Sequence, residues 1–448
     1  LNQSIVRLPF MPAFALSPET WPFDLTWLPA AACLVGGSVR DALLERTSDY
    51  LDLDFVLPER AVETARTIAH HYRAGFVLLD AERQIARVVF DQGTADFAQQ
   101  VGDSLEADLS RRDFRANAIA YSPHRQELID PLDGCQDLQM GILSMIAPEN
   151  LAEDPLRLLR AYRQAAQLGF SLDPATRSEI RRLADRLGQI AAERVQSELN
   201  YLLSTAKGTV WLKLAWEDGL LHRWLPNVTL AGLERLWAID RWVSDLKQDW
   251  PELAHLLCQD IRTAHQPRRS SAPKPNRQAA LEAPASGSTR TWITTAKLAC
   301  LMPPDISSAE AQLWQLKYSR AEVQAVTTVL RYLPQLIEHA TMTPGQQYHF
   351  FQAVGNVFPA LIISALAAGK TLSELRSLIQ RSLDPTDQVA HPTPLLSGQD
   401  LMQGLQISPS PQVGQLLAAL QLARAEGKIN TPDAALTFAR SLLQAEGK

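Results

Sequence analysis

The feature that most constrains this chain is a change of periodicity near Asn150. Before it, short apolar runs over 33–35, 53–57, 75–79, 87–90 and 118–121 read as strands and alternate with helical stretches such as 60–72. After it, the strand signals stop. Leu156, Leu158, Leu159, Tyr162, Ala165, Ala166 and Leu168 recur at helical spacing, as do Ile180, Leu183, Ala184 and Leu187, then Val195, Leu199, Leu202 and Leu203. Further helices are expected over 230–246, 308–338, 344–368, 371–382, 412–425 and 431–444, the last with a cap and first-turn proline in Asn430-Thr431-Pro432-Asp433. The expected class is α+β, a first domain with a small sheet followed by all-α regions.

At 448 residues the chain is too long for one hydrophobic core. Its first thirty residues interleave Pro9, Pro12, Pro18, Pro22 and Pro29 with Phe10, Phe14, Trp21, Phe23 and Trp27. That spacing resists regular structure while offering apolar anchors, so 1–30 reads as a strap packed on the first domain. Residues 265–290 have the Arg, Ser and Pro composition of a flexible insertion. No apolar run reaches about 18 residues, and the opening lacks the pattern of a signal peptide, so a soluble, cytoplasmic protein with no membrane partner is expected. Cys33, Cys135, Cys258 and Cys300 are scattered, which supports neither a zinc site nor a disulfide framework and predicts buried thiols. The net charge of −6 argues against a generally basic surface, so any nucleic-acid contact must come from a local patch.

Three constellations carry chemistry. In the first, Gly36-Gly37 ends an apolar run and opens an amphipathic turn whose buried face is Val39, Ala42 and Leu43, with Arg40 as a charged arm. Such a turn presents free amides and a helix dipole to a triphosphate; a simple tight turn is the plainer alternative. A short hairpin later, Asp52 and Asp54 sit on alternate residues of a strand and project together. Two carboxylates so close repel unless a cation lies between them, and hard oxygen ligands suit Mg²⁺ shared with substrate phosphates. The pairing points to metal-assisted nucleotidyl transfer with two ions during catalysis.

The second cluster is Arg111-Arg112-Asp113-Phe114-Arg115-Ala116-Asn117. Its arginines can grip phosphate oxygens, and Asp113 or Asn117 ribose hydroxyls; a surface salt-bridge loop is the alternative. The third is Glu153-Asp154-Pro155 followed by Arg157, Arg160 and Arg163. With Pro155 in the first turn, Glu153 or Asp154 caps a helix, and Asp154, Arg157, Arg160 and Arg163 form an i, i+3 ridge, which is either a charged solvent face or a base reader. Cytosine and adenine both offer an amino donor beside a ring-nitrogen acceptor, whereas uracil and guanine offer the reverse. An Asp that accepts and an Arg that donates would take C and A, each good pair giving roughly 1–3 kcal/mol by analogy with base-edge readout.

These motifs, in order and together with Asp130-Pro131-Leu132-Asp133-Gly134 and Ala192-Glu193-Arg194-Val195-Gln196-Ser197-Glu198-Leu199, resemble the five motifs of the class II tRNA nucleotidyltransferase and bacterial poly(A) polymerase family. The match covers about 31–205 and is weaker toward the C-terminus. The resemblance implies a polymerase-β-like nucleotidyltransferase head over 31–146, a helical neck over 147–205 carrying the base reader, a helical body over 206–382 and a helical tail over 383–448. It also implies that Asp52 and Asp54 hold Mg²⁺. Gly36, Gly37, Arg40, Arg111, Arg112, Asp113 and Asn117 then bind the nucleotide. Asp154 and Arg157 read the base, Glu153 braces the reader, and Arg160 and Arg163 bind nucleotide or primer end. The partners implied are CTP, with ATP as an alternative donor, and the tRNA 3′ end with its acceptor and T arms.

Arg115 stands where the family commonly has threonine, with no effect assignable from sequence. Between Phe97 and Arg111 the connection is short and lacks the Arg-Glu pair that A-adding members usually carry, which favours addition of CC alone. Full CCA addition, poly(A) addition and a catalytically silent tRNA-binding protein are the alternatives; the last residues, 444–448, carry no basic run for generic RNA. Asp96, expected on a strand, reads either as a third active-site acid or as a structural turn residue.

Overall fold

The computed structural model describes residues 5–6, 14–46, 50–205, 207–261, 290–338 and 342–446. The insertion expected over 265–290 lies outside the described residues, apart from Arg290. Two compact units are present, one ending at Pro226 and the other starting at Asn227.

The first unit holds an eight-stranded mixed sheet. Its strands are β1 (Ile5–Val6), β2 (Cys33–Val35), β3 (Leu51–Leu57), β4 (Gly75–Asp80), β5 (Ile85–Val89), β6 (Gly93–Gln99), β7 (Ala120–Ser122) and β8 (Glu127–Ile129), in the order β1-β8-β7-β2-β3-β6-β5-β4. Only β3 and β6 pair in parallel; every other pair in this sheet is antiparallel. Along β3 the residues alternate as the pleat requires: Leu51, Leu53 and Phe55 are buried, while Asp52 and Asp54 stay partly exposed on the other face. Helix α1 (Gly37–Leu43) follows β2, and α2 (Ala61–His71) covers β5 and β6 with Ala61, Ala65, Ile68 and Ala69.

The strap has the anchors expected of it. It runs through three 3₁₀ turns, and Trp21 and Phe23 pack edge-on against Phe55 at 5.1 and 5.8 Å between ring centroids. Phe55 in turn stacks on Phe97 at 5.4 Å, so an aromatic cluster backs the strands that carry the acidic residues. Residues 7–13 of the strap lie outside the described set.

Helices then take over: α3 (Leu105–Ser110), α4 (Gly134–Met140), α5 (Pro148–Glu153), α6 (Leu156–Leu168), α7 (Pro174–Leu183), α8 (Ala192–Ser204) and α9 (Gly208–Glu217). Helix α9 packs on α6 and α8, so the compact unit continues past residue 205 to Pro226. The strand signals do not end completely at Asn150: Ser171–Leu172 pairs in parallel with Ile142–Leu143. Two residues carry too little periodicity to be seen in sequence.

The second unit is helical among its described residues. Leu230–Asp249, Trp292–Leu301, Arg320–Glu338 and Phe358–Ala367 pack on one another, and Leu401, Leu416, Leu420, Ala435 and Ala439 centre a separate C-terminal cluster. Two long helices expected from periodicity are broken. The 308–338 stretch divides into Ile306–Gln315 and Arg320–Glu338, with Lys317 at φ 61° and Ser319 and Glu322 bonded reciprocally at the restart. The 344–368 stretch divides at Gly355, φ 51°, which a side-chain-bearing residue rarely adopts. Pro344–Ala367 is long and apolar enough to cross a membrane by length and composition, but two-thirds of its most apolar 18-residue window is buried inside the fold. The four cysteines are free, and only Cys33 is buried; Cys258 is exposed, contrary to the expectation for all four.

Candidate active site

A cavity of about 930 Å³ opens in the first unit between the sheet and helices α6 and α8. Asp52 and Asp54 form one end of it. Asp52 accepts from Thr94 Oγ1 at 2.6 Å, and no lysine or arginine among the described residues forms an ion pair with either carboxylate. Burial, then the charges of Asp52 and Asp96, push the Asp54 carboxyl up to about 7, against the pull of Arg112 and Arg87. The pair is short of positive charge, which a divalent cation supplies, and two carboxylates leave further positions for phosphate and water oxygens. Among the described residues no group of three or more His, Cys, Asp or Glu side chains is arranged to hold a metal by itself.

Gly36 turns the chain from β2 into α1 at φ 75°, ψ −137°, and a Cβ there would sit 3.4 Å from both Arg112 Nη1 and Asp54 Oδ2. Glycine is thus favoured at position 36 by its backbone conformation, while a Cβ there would only touch the ends of Arg112 and Asp54. Gly37 has no such restriction; it opens α1, whose first amides have no partner within the helix. Arg112 Nη2 reaches Asp108 at 3.3 Å, but its buried Nε has no hydrogen-bond partner. A buried guanidinium nitrogen left unpaired beside two carboxylates marks a place for an anion.

From there the wall is a chain of polar contacts. Arg40 is held by Asp41 at 3.0 and 2.9 Å and donates to Asn117 Oδ1 at 2.7 Å. Asn117 donates to Asp113 and Gln164, and Asp113 accepts from Arg160 Nε at 3.1 Å and from the Phe114 amide at 2.9 Å. Burial pushes the Asp113 carboxyl up, but Arg160, Asn117, the Phe114 amide and Arg157 outweigh it and hold the group below the usual range. The two residues expected to touch ribose therefore have their polar atoms engaged in joining the sheet domain to α6.

At the far end Asp154 lies between α5 and α6, and its Oδ1 accepts from the Leu156 amide, so the acid caps α6 as its position predicts. Arg194 grips both oxygens at 3.2 and 2.8 Å. Burial again pushes the carboxyl up, but Arg194, the Leu156 amide and Arg157 hold it low, so Asp154 is an acceptor only at neutral pH. Arg157 donates to the Asn150 carbonyl at 2.9 Å, while Asn150 itself donates to the carbonyls of Ser110 and Arg112. Arg163 bonds Glu198 and Gln167 and lies over the Tyr201 ring.

Gly36, Gly37, Arg40, Asp52, Asp54, Arg112, Asp113, Asn117, Asp154, Arg157, Arg160 and Arg163 all line the cavity. Arg111, Glu153 and Asp96 do not. Arg111 and Glu153 pair with each other, half exposed, at 3.3 Å. Both oxygens of Asp96 are taken by Arg87 at 2.7 and 2.8 Å. Arg115 is exposed and outside the cavity. The motif from Asp130 to Gly134 is structural: Asp130 accepts the amides of Gly134 and Cys135, and a Cβ on Gly134 would meet the Arg115 carbonyl at 2.3 Å. Residues missed from sequence are Gln164, Arg87, Thr94, Asn150 and Tyr201. Gln164 carried a signal, lying four residues after Arg160 on the same helix face. The others come from elements whose neighbours are set only by folding.

The short connection before Arg111 ends in the helix α3, Leu105–Ser110. Ser104 caps α3, Asp108 accepts the Val101 amide, and the same Asp108 pairs with Arg112.

Residues 32–144 match the family model described as "Poly A polymerase head domain". Residues 169–231 match "Probable RNA and SrmB- binding site of polymerase A", and 286–439 match "tRNA nucleotidyltransferase domain 2 putative". A CC-adding tRNA nucleotidyltransferase of Synechocystis is 47% identical over 94% of this chain and 96% of its own length. An A-adding tRNA nucleotidyltransferase of Deinococcus radiodurans is 33% identical over 95% of this chain and 97% of its own. A solved CCA-adding enzyme in complex with ATP superposes with a TM-score of 0.68 at 19% identity, covering 93% of this chain and 91% of the other.

Proposed function

Because this chain belongs to the family of tRNA nucleotidyltransferases and poly(A) polymerases, we propose that it is the member that adds CC to the 3′ end of tRNA. The donor is CTP and the reaction needs no nucleic-acid template. The 3′ hydroxyl of the RNA attacks the α-phosphorus of CTP, the new P–O bond forms as the α–β bridge breaks, and pyrophosphate leaves. The observation that carries this reading is the single cavity with two unneutralised carboxylates and the unpaired Arg112 Nε at one end and the fixed pair of Asp154 and Arg157 at the other.

Asp52 and Asp54 would hold Mg²⁺, two ions being expected during the reaction, and the bound metal would supply Lewis-acid activation of the attacking hydroxyl and charge compensation at the transferred phosphorus. Arg112 and Arg40, with the first amides of α1, orient the triphosphate. Asp154, kept ionised by Arg194, accepts from the cytosine amino group, and Arg157 donates to the ring nitrogen. Uracil and guanine present a donor to the Arg and an acceptor to the Asp, and are rejected. The tRNA acceptor and T arms are the macromolecular partner, and the cytoplasm is the corresponding compartment. Asp113 and Asn117 keep the wall in register, and Glu153 steadies the turn beside Asp154 through Arg111.

The short tied segment over 100–110 and the identity to the Synechocystis CC-adding enzyme support a stop after CC. The Deinococcus A-adding relative supports a second reading, addition of the terminal A. A tRNA transcript lacking CCA, incubated with CTP alone and then with CTP and ATP, separates them. Two C residues and no A are expected; an A added after CC establishes full CCA addition instead, and no C addition here together with A addition to a transcript ending in CC establishes the A-adding reading.

A further inference from the structure

The sheet places two further charged side chains, Asp96 and Arg87, in a row with Asp54. In the parallel ladder of β3 and β6, Asp52 faces Thr94 and Asp54 faces Asp96. In the antiparallel ladder of β6 and β5, Asp96 faces Arg87. Side chains at register positions of neighbouring strands lie on one face within reach of each other. Thr94 and Asp96, two residues apart on β6, behave differently toward β3. Thr94 donates across to Asp52 at 2.6 Å, whereas Asp96 turns the other way and gives both its oxygens to Arg87. The guanidinium is about three-quarters covered and the carboxylate slightly more, a geometry that fixes the pair.

Resting on the reading of Asp52 and Asp54 as cation ligands, we propose that Arg87 is a positioning residue that withdraws Asp96 from the ligand set, leaving the divalent cation to two carboxylates. Without Arg87, three acidic side chains would share one patch of the sheet, and hard cations bind more tightly as the count of carboxylates rises. With it, the fixed charge beside the site sums to that of two carboxylates, and most of the cation's affinity has to come from the triphosphate that accompanies it. Arg87 thereby links cation loading to nucleotide loading, and an ion has less reason to remain after pyrophosphate leaves.

The test is Mn²⁺ binding to the nucleotide-free full-length protein, read by calorimetry and by the EPR signal of free Mn²⁺. Arg87→Met is expected to tighten Mn²⁺ binding by about tenfold or more, because a third carboxylate becomes available. The double variant Arg87→Met/Asp96→Asn, with the same net charge as wild type, is expected to return to wild-type affinity within about threefold. Unchanged or weaker binding by Arg87→Met, with its thermal midpoint retained, overturns the proposal. So does a collapse of affinity in the double variant, which would make Asp96 a ligand in the wild type. Asp52→Asn serves as the control for the underlying reading. If it leaves wild-type Mn²⁺ binding intact, the metal site itself is misplaced; if it abolishes binding while Arg87→Met tightens nothing, only the role of Arg87 fails.

Discussion

The two ends of the cavity are built on opposite electrostatic plans. At the sheet end, Asp52 and Asp54 stand without an ion-pair partner and Asp54 is pushed up to about 7. At the helical end every carboxylate has its cation: Asp113 has Arg160, Asp154 has Arg194, and Glu198 has Arg163. Asp113 and Asp154 are accordingly held below their usual range. The first end lacks compensating charge, which the cation proposed there would supply. The second is complete already, which suits the base reading proposed for it, since a pattern of acceptors and donors that rearranged on binding would discriminate poorly.

The largest expected effect comes from removing one unpaired acid. Asp54→Asn should lower CMP incorporation by about a thousandfold or more, on the scale of losing a central electrostatic group, while tRNA binding persists. The same variant should not destabilise the protein, and its stability in EDTA separates the two ends by sign. A carboxyl raised in the folded state binds a proton more tightly there than in the unfolded chain. Between the usual carboxylate range and about pH 7, wild-type stability therefore falls as pH rises, by at most about 1.4 kcal/mol per pH unit from this group. Asp113 and Asp154 act oppositely: their contribution is present at neutral pH and is lost as pH falls below the usual carboxylate range through their lowered values. Asp54→Asn should flatten the limb near neutrality and leave the acid limb. A thermal-midpoint profile in EDTA with no neutral limb in the wild type would contradict the contrast drawn between the two ends.

Much of this contrast was legible in the sequence, but only as membership. Gly36, Asp52, Asp54, Arg112, Asp154 and Arg157 could be gathered at one cavity because spacing or motif fixes their local geometry: alternation puts two acids on one face, and a glycine takes up a positive φ. Which acid is paired could not be read, because pairing is decided across strands and helices. Asp96 looks as available as Asp54 until β5 brings Arg87 beside it, and Arg194 lies 40 residues from the Asp154 it grips. The helical class was clear from periodicity, whereas the breaks near Lys317 and Gly355 were not, since apolar spacing continues through a single turn.

Within the helical end, Asp113→Ala is expected to cost about 2–3 kcal/mol. It removes an almost fully buried carboxylate and leaves the donors of Arg160, Asn117, Gln164 and the Phe114 amide without their acceptor, though Arg160, more than a third exposed, regains some hydration and limits the loss. Urea unfolding measures it directly. A loss under about 0.5 kcal/mol would mean that the network is decorative rather than structural. Next in size, Arg157→Ala should reduce the preference for CTP over UTP by roughly 1–3 kcal/mol in kcat/KM with an unchanged thermal midpoint. Unaltered discrimination would remove Arg157 from the reader.

The smallest effect tests whether the pairing rule extends beyond the cavity wall. Arg111 and Glu153 form an ion pair at 3.3 Å, but both side chains are about half exposed and neither lines the cavity. Coulomb attraction there is screened by water and salt, and ordering two long side chains costs entropy, so the pair should contribute no more than about 0.2–1 kcal/mol. Arg111→Ala should then lower CMP incorporation by less than about fivefold, and the deficit should shrink further at high salt. Glu153 adjoins Asp154 in sequence, which gives the experiment its edge. If Arg111→Ala cut incorporation as deeply as Arg157→Ala while tRNA affinity held, the exposed pair would be steering the base reader, and the division between an open end and a completed end would have to move outward to include it.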